Sequence, residues 1–501
     1  MLSKTWRVHW VTRGQSAVVS DHPALQGWTD LDQREEASRI DPGDVFMTDP
    51  NYRVDPRLTH FLTRSSFAHL ARETRRNYAG DCCLFFNFLW QHGKNWDEAD
   101  PEDLLDFEDW RRWSPRNPHR IGGSKWNREL AALTRLYKWA VRKGYMVVSP
   151  VVEHEVMGRH GDVLSVPAAR AKDVRSSNVK WLTPRAYRLW RDVGLRGYTA
   201  DDRRDPSRRG RNDDRNAAYS DLLFSSGMRR SEGGSLLTIE VPPLEESVKR
   251  YFDGRLAKAT TKSRRERTFY VAIECLRAID AYVRTSRRAV VRRAQTKGRY
   301  EAIDDIWVVE KRSGWRQSTL HIRDERGQKV ERGLTTLDVE ERQRLFIEGE
   351  DGLEPLWLWL SEDGRPFLPH SWEAVYRAAS ERCRRVLEGH VTQPPYFTPH
   401  MARHSFALKM LVALQHALDK RFGLTPEERR DFRLLYGDAW RMVKDLLDHQ
   451  SEETTRKIYL APVSDLQVRS LLLDEADPGT NELLARIAKM SERVLDSEVV
   501  A

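Results

Sequence analysis

From Thr74 onward apolar residues recur at three- and four-residue steps, with Tyr78, Phe85, Phe88 and Leu89 on one side and Leu84 and Trp90 flanking, until Gly93 breaks the run. That period predicts an amphipathic helix. A second such stretch runs from Trp126 to Val141, carries Leu130, Leu133, Leu136, Tyr137 and Ala140 on one side, and stops at Gly144. With an acidic helix around Asp103 to Trp113, these predict an all-α domain over residues 56–160. Residues 1–55 mix Asp, Pro, Gly and isolated aromatics without a sustained period, so an irregular extension is expected there, with one strand from Trp6 to Val11.

Residues 161–180 are rich in Ala, Ser and Arg, lack an apolar stripe and read as an exposed linker. A second domain, 181–475, opens at Leu182-Thr183-Pro184, where Thr183 can cap a helix and Pro184 can occupy its first turn. Inside it, residues 201–216 form a charged loop, and RLAKAT and RTFYVAI within Arg255–Ile273 read as two strands around a polar tip, Thr261 to Arg265. Two insertions are expected, 284–350 with the basic run Arg284, Arg287, Arg288, Arg292, Arg293, Lys297 and Arg299, and 413–436. The basic run is as readily a solvated helix face as a phosphate track. Residues 476–501 end the chain as an amphipathic helical tail, with Leu483, Leu484, Ile487, Met490 and Val494 needing a surface to pack on. The expected fold class is mainly α with a small antiparallel β-sheet.

Composition narrows the function classes. The 501 residues are 40% apolar, enough for several cores, and no run of about eighteen apolar residues or signal-like start appears, so a cytoplasmic, nucleoid-associated protein without membrane contact is expected. The four cysteines, Cys82, Cys83, Cys275 and Cys383, form neither a disulfide framework nor a metal spacing. No metal and no cofactor is expected. Lys and Arg total 84 against 75 for Asp and Glu, a net +9 that favours a polyanionic partner only weakly.

Four clusters carry candidate chemistry. In Gly227-Met228-Arg229-Arg230-Ser231-Glu232, a glycine break before a new helix places Arg229 near free backbone N–H groups, and Glu232 can hold its guanidinium fork. In Thr398-Pro399-His400-Met401-Ala402-Arg403-His404, a capped helix start sets His400 beside Arg403. In the segment from Leu446 to Tyr459, a helix ends near His449, a second is capped by Ser451, and Tyr459 follows about two turns along. Lys262 sits on the hairpin tip. Each alone has an ordinary reading: a surface ion pair, a helix surface (His69 and Arg72 repeat the same spacing), a core tyrosine, a solvated lysine.

Together they suit one reaction, phosphodiester transesterification without metal. Arg229 and Arg403 can neutralise charge gathering on the non-bridging oxygens. A phenol with a pKa near 10 needs a base, for which His400 is placed, and the leaving 5′-oxygen needs a proton, which Lys262 can bring. His449 would hydrogen-bond the phosphate, and Tyr459 would attack it.

In this order the clusters resemble the tyrosine recombinase, or phage integrase, family over about residues 60–475. Gly227 to Glu232 is similar to its first arginine box, Pro399 to Phe406 to its second, and Leu447-Asp448-His449 through Tyr459 to its Leu-Gly-His to Tyr segment. The resemblance implies a core-binding (SAM-like) domain and a catalytic domain forming a C-shaped clamp on double-stranded DNA. It also implies a 3′-phosphotyrosyl intermediate, integration or excision of a mobile element, and a homo-tetramer at synapsis that is a monomer or weak dimer off DNA. Asp448 replaces the usual glycine, the interval from Arg403 to His449 is lengthened, and Arg265 or Lys258 could take the place of Lys262. A type IB topoisomerase and a DNA-binding regulator without catalysis stand as alternatives.

Overall fold

The computed structural model describes residues 5–11, 43–157, 161–174, 179–244, 250–324, 327–416, 438–448, 480–491 and 493–497. The chain divides into two compact units, Met1–Ser176 and Ser177–Ala501, each with its own core.

In the first unit, helices α1 (Pro56–Arg64), α2 (Arg72–Gln91), α3 (Pro101–Arg112) and α4 (Gly123–Arg142) supply most of the core. The expected periodicity is realised in α2 and α4, where Phe85, Phe88, Leu89, Leu130, Leu133, Leu136 and Tyr137 are buried. Gly93 and Gly144 follow the two helices at φ of +77° and +71°, left-handed positions that stop a helix where a side chain would be strained. The N-terminal stretch is less irregular than its composition suggests. Strand β1 (Arg7–Trp10) pairs antiparallel with β2 (Val45–Thr48), and Trp6, Val45 and Met47 join the helical core. The first part of the expected linker is likewise structured. Strands β3 (Glu153–Met157) and β4 (Val163–Pro167) pair, and Asn127 of α4 binds the backbone of Ala171 through both ends of its amide. Such side-chain to backbone bonds leave no periodic mark in a sequence.

The second unit begins with β5 (Trp181–Leu182) and α5 (Pro184–Trp190), where the Thr183 hydroxyl accepts from Ala186 N at 3.2 Å. Helix α6 (Asp213–Ser226) and the short α7 (Arg230–Gly234) precede the antiparallel hairpin of β6 (Tyr251–Leu256) and β7 (Arg267–Ala272). The first strand thus lies earlier than RLAKAT, because Lys258–Thr260 turns as a 3-10 segment. Helix α8 (Ile273–Tyr282) runs through a π-helical turn into α9 (Arg288–Thr296).

After α9 comes a five-stranded sheet in the order β10-β9-β8-β11-β12. Its strands are β8 (Trp307–Ser313), β9 (Thr319–Arg323), β10 (Lys329–Gly333), β11 (Leu345–Gly349) and β12 (Gly352–Pro355), with α10 (Val339–Gln343) between β10 and β11. The described residues are mainly helical, but their strand content departs from one small antiparallel sheet. Among the described residues five sheets form, and β8 and β11 pair in parallel. The basic run divides too. Arg287 is 1% exposed, with its guanidinium on Glu354 and on the carbonyls of Pro355, Trp357 and Leu358, so it ties helix to sheet.

Helices α11 (Trp372–Leu387) and α12 (Pro399–His416) follow. Helix α12 is enclosed on several sides, touching α6, β5, α13 (Ala439–Leu447) and α14 (Thr480–Met490). The tail finds its packing surface within its own chain. Leu484 and Ile487 bury against Leu408 and Leu411 in one cluster, and β13 (Val494–Leu495) pairs in parallel with β5. Most of the expected 413–436 insertion, His449 and Tyr459 lie outside the described residues. Among the described residues no helix is long and apolar enough to cross a membrane.

Candidate active site

Helix α6 stops at Gly227 with φ +66°, where an added Cβ would stand 2.3 Å from the Phe406 ring. The glycine therefore allows both the turn and the close approach of α12. Its carbonyl accepts from Arg403 Nη1 at 2.8 Å. Two residues on, Arg229 leads into α7. The backbone N–H of Arg229 itself is engaged, donating to Glu232 Oε2 at 2.8 Å, while its Nη1 donates to Oε1 at 2.7 Å.

Glu232 is 1% exposed and bonded from two sides, since Arg267 at the start of β7 donates to its Oε2 at 2.6 Å. Burial alone would raise the Glu232 pKa, but Arg267, Arg229 and Arg403 together hold it below the ordinary carboxylate value. Even with the Asp448 carboxylate 3.7 Å from Arg229 Nη1, three cations outnumber two anions and the cluster stays positive.

The same three arginines hold the C-terminal end of α13. Arg267 Nη1 donates to Leu446 O at 3.0 Å, Arg403 Nη2 to Leu447 O, and Arg229 Nη2 to Asp448 O at 3.4 Å. A helix end exposes unpaired carbonyls and a partial negative charge, and guanidinium forks satisfy both. Asp448 closes the helix at φ 54° and ψ 48°. This left-handed position favours glycine, and aspartate is among the side chains that tolerate it best. The aspartate adds a carboxylate 3.7 Å from Arg229 Nη1.

Helix α12 brings the second box. Thr398 Oγ1 accepts from Met401 N at 3.2 Å, Pro399 takes the first helical position, and His400 and Arg403 follow on the first turns. His400 and His404 meet through their Nε2 atoms at 2.8 Å. Burial, with Arg403, Arg229 and Lys262 nearby, pushes the His400 pKa below its ordinary 6.5, which keeps the ring neutral and able to accept a proton.

Arg229, Lys262, His400 and Arg403 all line one cavity of about 900 Å³. Lys262 is exposed in the β6–β7 turn, whereas Lys258 and Arg265 do not line the cavity. The lining also includes Arg377, Arg384, Glu381 and Tyr396, with Arg230 paired to Glu373. Three stretches far apart in the chain, around Arg229, Lys262 and His400–Arg403, thus meet at one pocket. His449 would directly follow Asp448, and Tyr459 belongs to the same undescribed segment.

Sequence reading missed Arg267 and His404. The latter carried a usable signal, an i, i+4 step from His400 on a helix. Arg267 carried none, since its bonds to Glu232 and Leu446 cross 35 and 179 positions of sequence.

Comparison with known proteins finds one matching family model, within the first unit. Residues 65–144 match the phage integrase N-terminal SAM-like domain. The SAM-like match takes in α2, α3 and α4, and its description names the family that the motifs of the second unit resemble. No curated protein matches the chain. Among solved structures, XerA recombinase is 15% identical, with 84% of this chain and 98% of that one covered at a TM-score of 0.30. XerH site-specific recombinase bound to palindromic difH substrate, a post-cleavage complex, is 11% identical, with 85% and 87% covered at 0.42. The Tn1549 transposon integrase in complex with circular intermediate DNA is 12% identical, with 81% and 92% covered at 0.41. Likeness at that level leaves the pocket to be read from its own residues.

Proposed function

We propose that this protein is a tyrosine-type site-specific recombinase that cleaves and rejoins double-stranded DNA through a covalent 3′-phosphotyrosine at Tyr459. The gathering of Arg229, Lys262, His400 and Arg403 around one pocket carries this reading. A phosphodiester seated there meets two guanidiniums that strengthen their hold as charge builds on its non-bridging oxygens. The Tyr459 oxygen attacks phosphorus, its proton passes to the neutral His400, and the bond to the 5′-oxygen breaks as Lys262 supplies that oxygen with a proton. His449 hydrogen-bonds the phosphate. Rejoining runs the same steps backward from an incoming 5′-hydroxyl. Side chains perform every step, with no metal or cofactor in the scheme.

The family read from the motifs and matched by residues 65–144 supports DNA as partner. It also supports a homo-tetramer at synapsis that is a monomer or weak dimer off DNA, and a role in moving a genetic element. A duplex nicked beside the scissile phosphate tests the chemistry, because the released fragment cannot return. Wild type should become covalently attached to the 3′ end, and Tyr459→Phe should lose the adduct while still binding. An adduct with that variant would overturn the nucleophile.

A further inference from the structure

The five-stranded sheet plays no part in the chemistry above, yet one of its turns lies beside the hairpin that bears Lys262. Between β8 and β9, Gly314 to Ser318 lift Trp315 into solvent, 69% exposed. Two guanidiniums face its ring: Arg316 with Cζ 4.4 Å from the centroid, and Arg255 of β6 at 5.3 Å. Arg255 also pairs with Glu266 at 2.8 Å, so the tryptophan contacts the hairpin itself. A second link runs below the tip. Ser318 O accepts from Leu334 N at 2.8 Å, and the Leu334–Thr336 segment packs on Lys258–Thr260, just before Lys262.

Charge gives this strip a direction. The two turns expose Lys258, Lys262, Arg264, Arg265 and Arg316 against one acid, Glu266. A single exposed tryptophan is unremarkable in a folded protein. A tryptophan between two arginines, on a strip of cations leading from a pocket read as the seat of a phosphodiester, has the composition that sugar-phosphate chains select. Cations neutralise phosphates, and the aromatic face lies against sugar or base.

We infer that the Trp315–Arg316 tip is a DNA-backbone contact that extends the bound duplex beyond the scissile phosphate. The inference rests on the function proposed above. The inserted sheet then serves as an outrigger, lengthening the footprint on the side of the Lys262 hairpin.

The test compares two nicked duplexes, one ending close to the cleavage site and one extended by about one helical turn on each side. Trp315→Ala and Arg316→Ala should each cut the affinity advantage of the long duplex about tenfold. Hydroxyl-radical protection of the outer nucleotides should fade, and Arg316→Ala should lower the salt slope by about one. Arg316→Lys should retain most of that slope, which guards against misfolding as the cause. An unchanged long-to-short ratio and footprint would overturn the inference. So would equal slowing of adduct formation on both duplexes that a 5′-bridging phosphorothiolate restores, since such a leaving group needs no proton and the tip would then act through Lys262. Absence of any adduct with wild-type protein is a different result, which overturns the function proposed above.

Discussion

Two arginines of the second unit, Arg342 and Arg229, each hold a glutamate with a buried side chain, and they are used differently. Arg342 is 1% exposed and pairs with both oxygens of Glu240 at 2.7 and 2.9 Å. Its remaining bonds go to the carbonyls of Leu337, Ser235 and Leu334. That pair is closed, one charge against one, with its donors spent on structure. Arg229 has 23% of its side chain exposed, shares Glu232 with Arg267, and lines a cavity. Among the described residues its guanidinium bonds go to Glu232 and Asp448 alone, which leaves N–H groups over for a ligand. A buried ion pair is thus no mark of a site in itself. Excess of one charge, spare donors and room beside them are what separate the two.

The largest break in this comparison should come from Arg229→Ala and Arg403→Ala. Each is expected to slow adduct formation on the nicked duplex by about a thousandfold while weakening binding far less, because the lost contact grows as charge develops. Equal losses in rate and affinity would reduce both residues to phosphate anchors.

Next come the two glutamates. Glu232→Gln and Glu240→Gln each leave buried guanidinium short of its counter-charge and should cost about 3 kcal/mol in denaturant unfolding. Only Glu232→Gln should also slow cleavage per folded molecule. Both changes slowing it alike would erase the distinction drawn above. Because the Glu232 pKa is lowered in the fold, its contribution is complete above the unfolded value of about 4.5 and drains away as pH falls through the lower folded value. The Glu232→Gln variant should therefore show a weaker loss of stability over that acid window than wild type.

Arg267→Lys keeps a charge near Glu232 but cannot span to Leu446 O as well. A cleavage loss of about tenfold, with little change in KM for DNA, is expected from a residue that positions the helix end before His449. Smallest is the pH effect. His400 titrates below 6.5, so the acid limb of cleavage should lie under that value, and Lys262→Ala, assayed on a 5′-bridging phosphorothiolate duplex whose leaving group needs no proton, should move it upward by removing one neighbouring cation. A downward or absent movement would place Lys262 away from His400 in the working complex.

The sequence was most informative where its signals were local. The helical period of α2 and α4, the Thr398-Pro399 start of α12 and the spacing of His400 and Arg403 all reflect forces acting within a few residues, and each could be read directly. Residue types could nominate Arg229, Lys262, His400 and Arg403 as partners in one reaction. What they could not show is that Gly227 lets α12 approach, that Arg267 shares Glu232, or that three arginines hold three successive carbonyls at the end of α13. The β1–β2 ribbon, the captured stretch before residue 174 and the mixed sheet escaped for the same reason. Side-chain hydrogen bonds and strand pairing join positions tens to hundreds of residues apart, and a chain carries no periodic trace of a partner that only folding brings near.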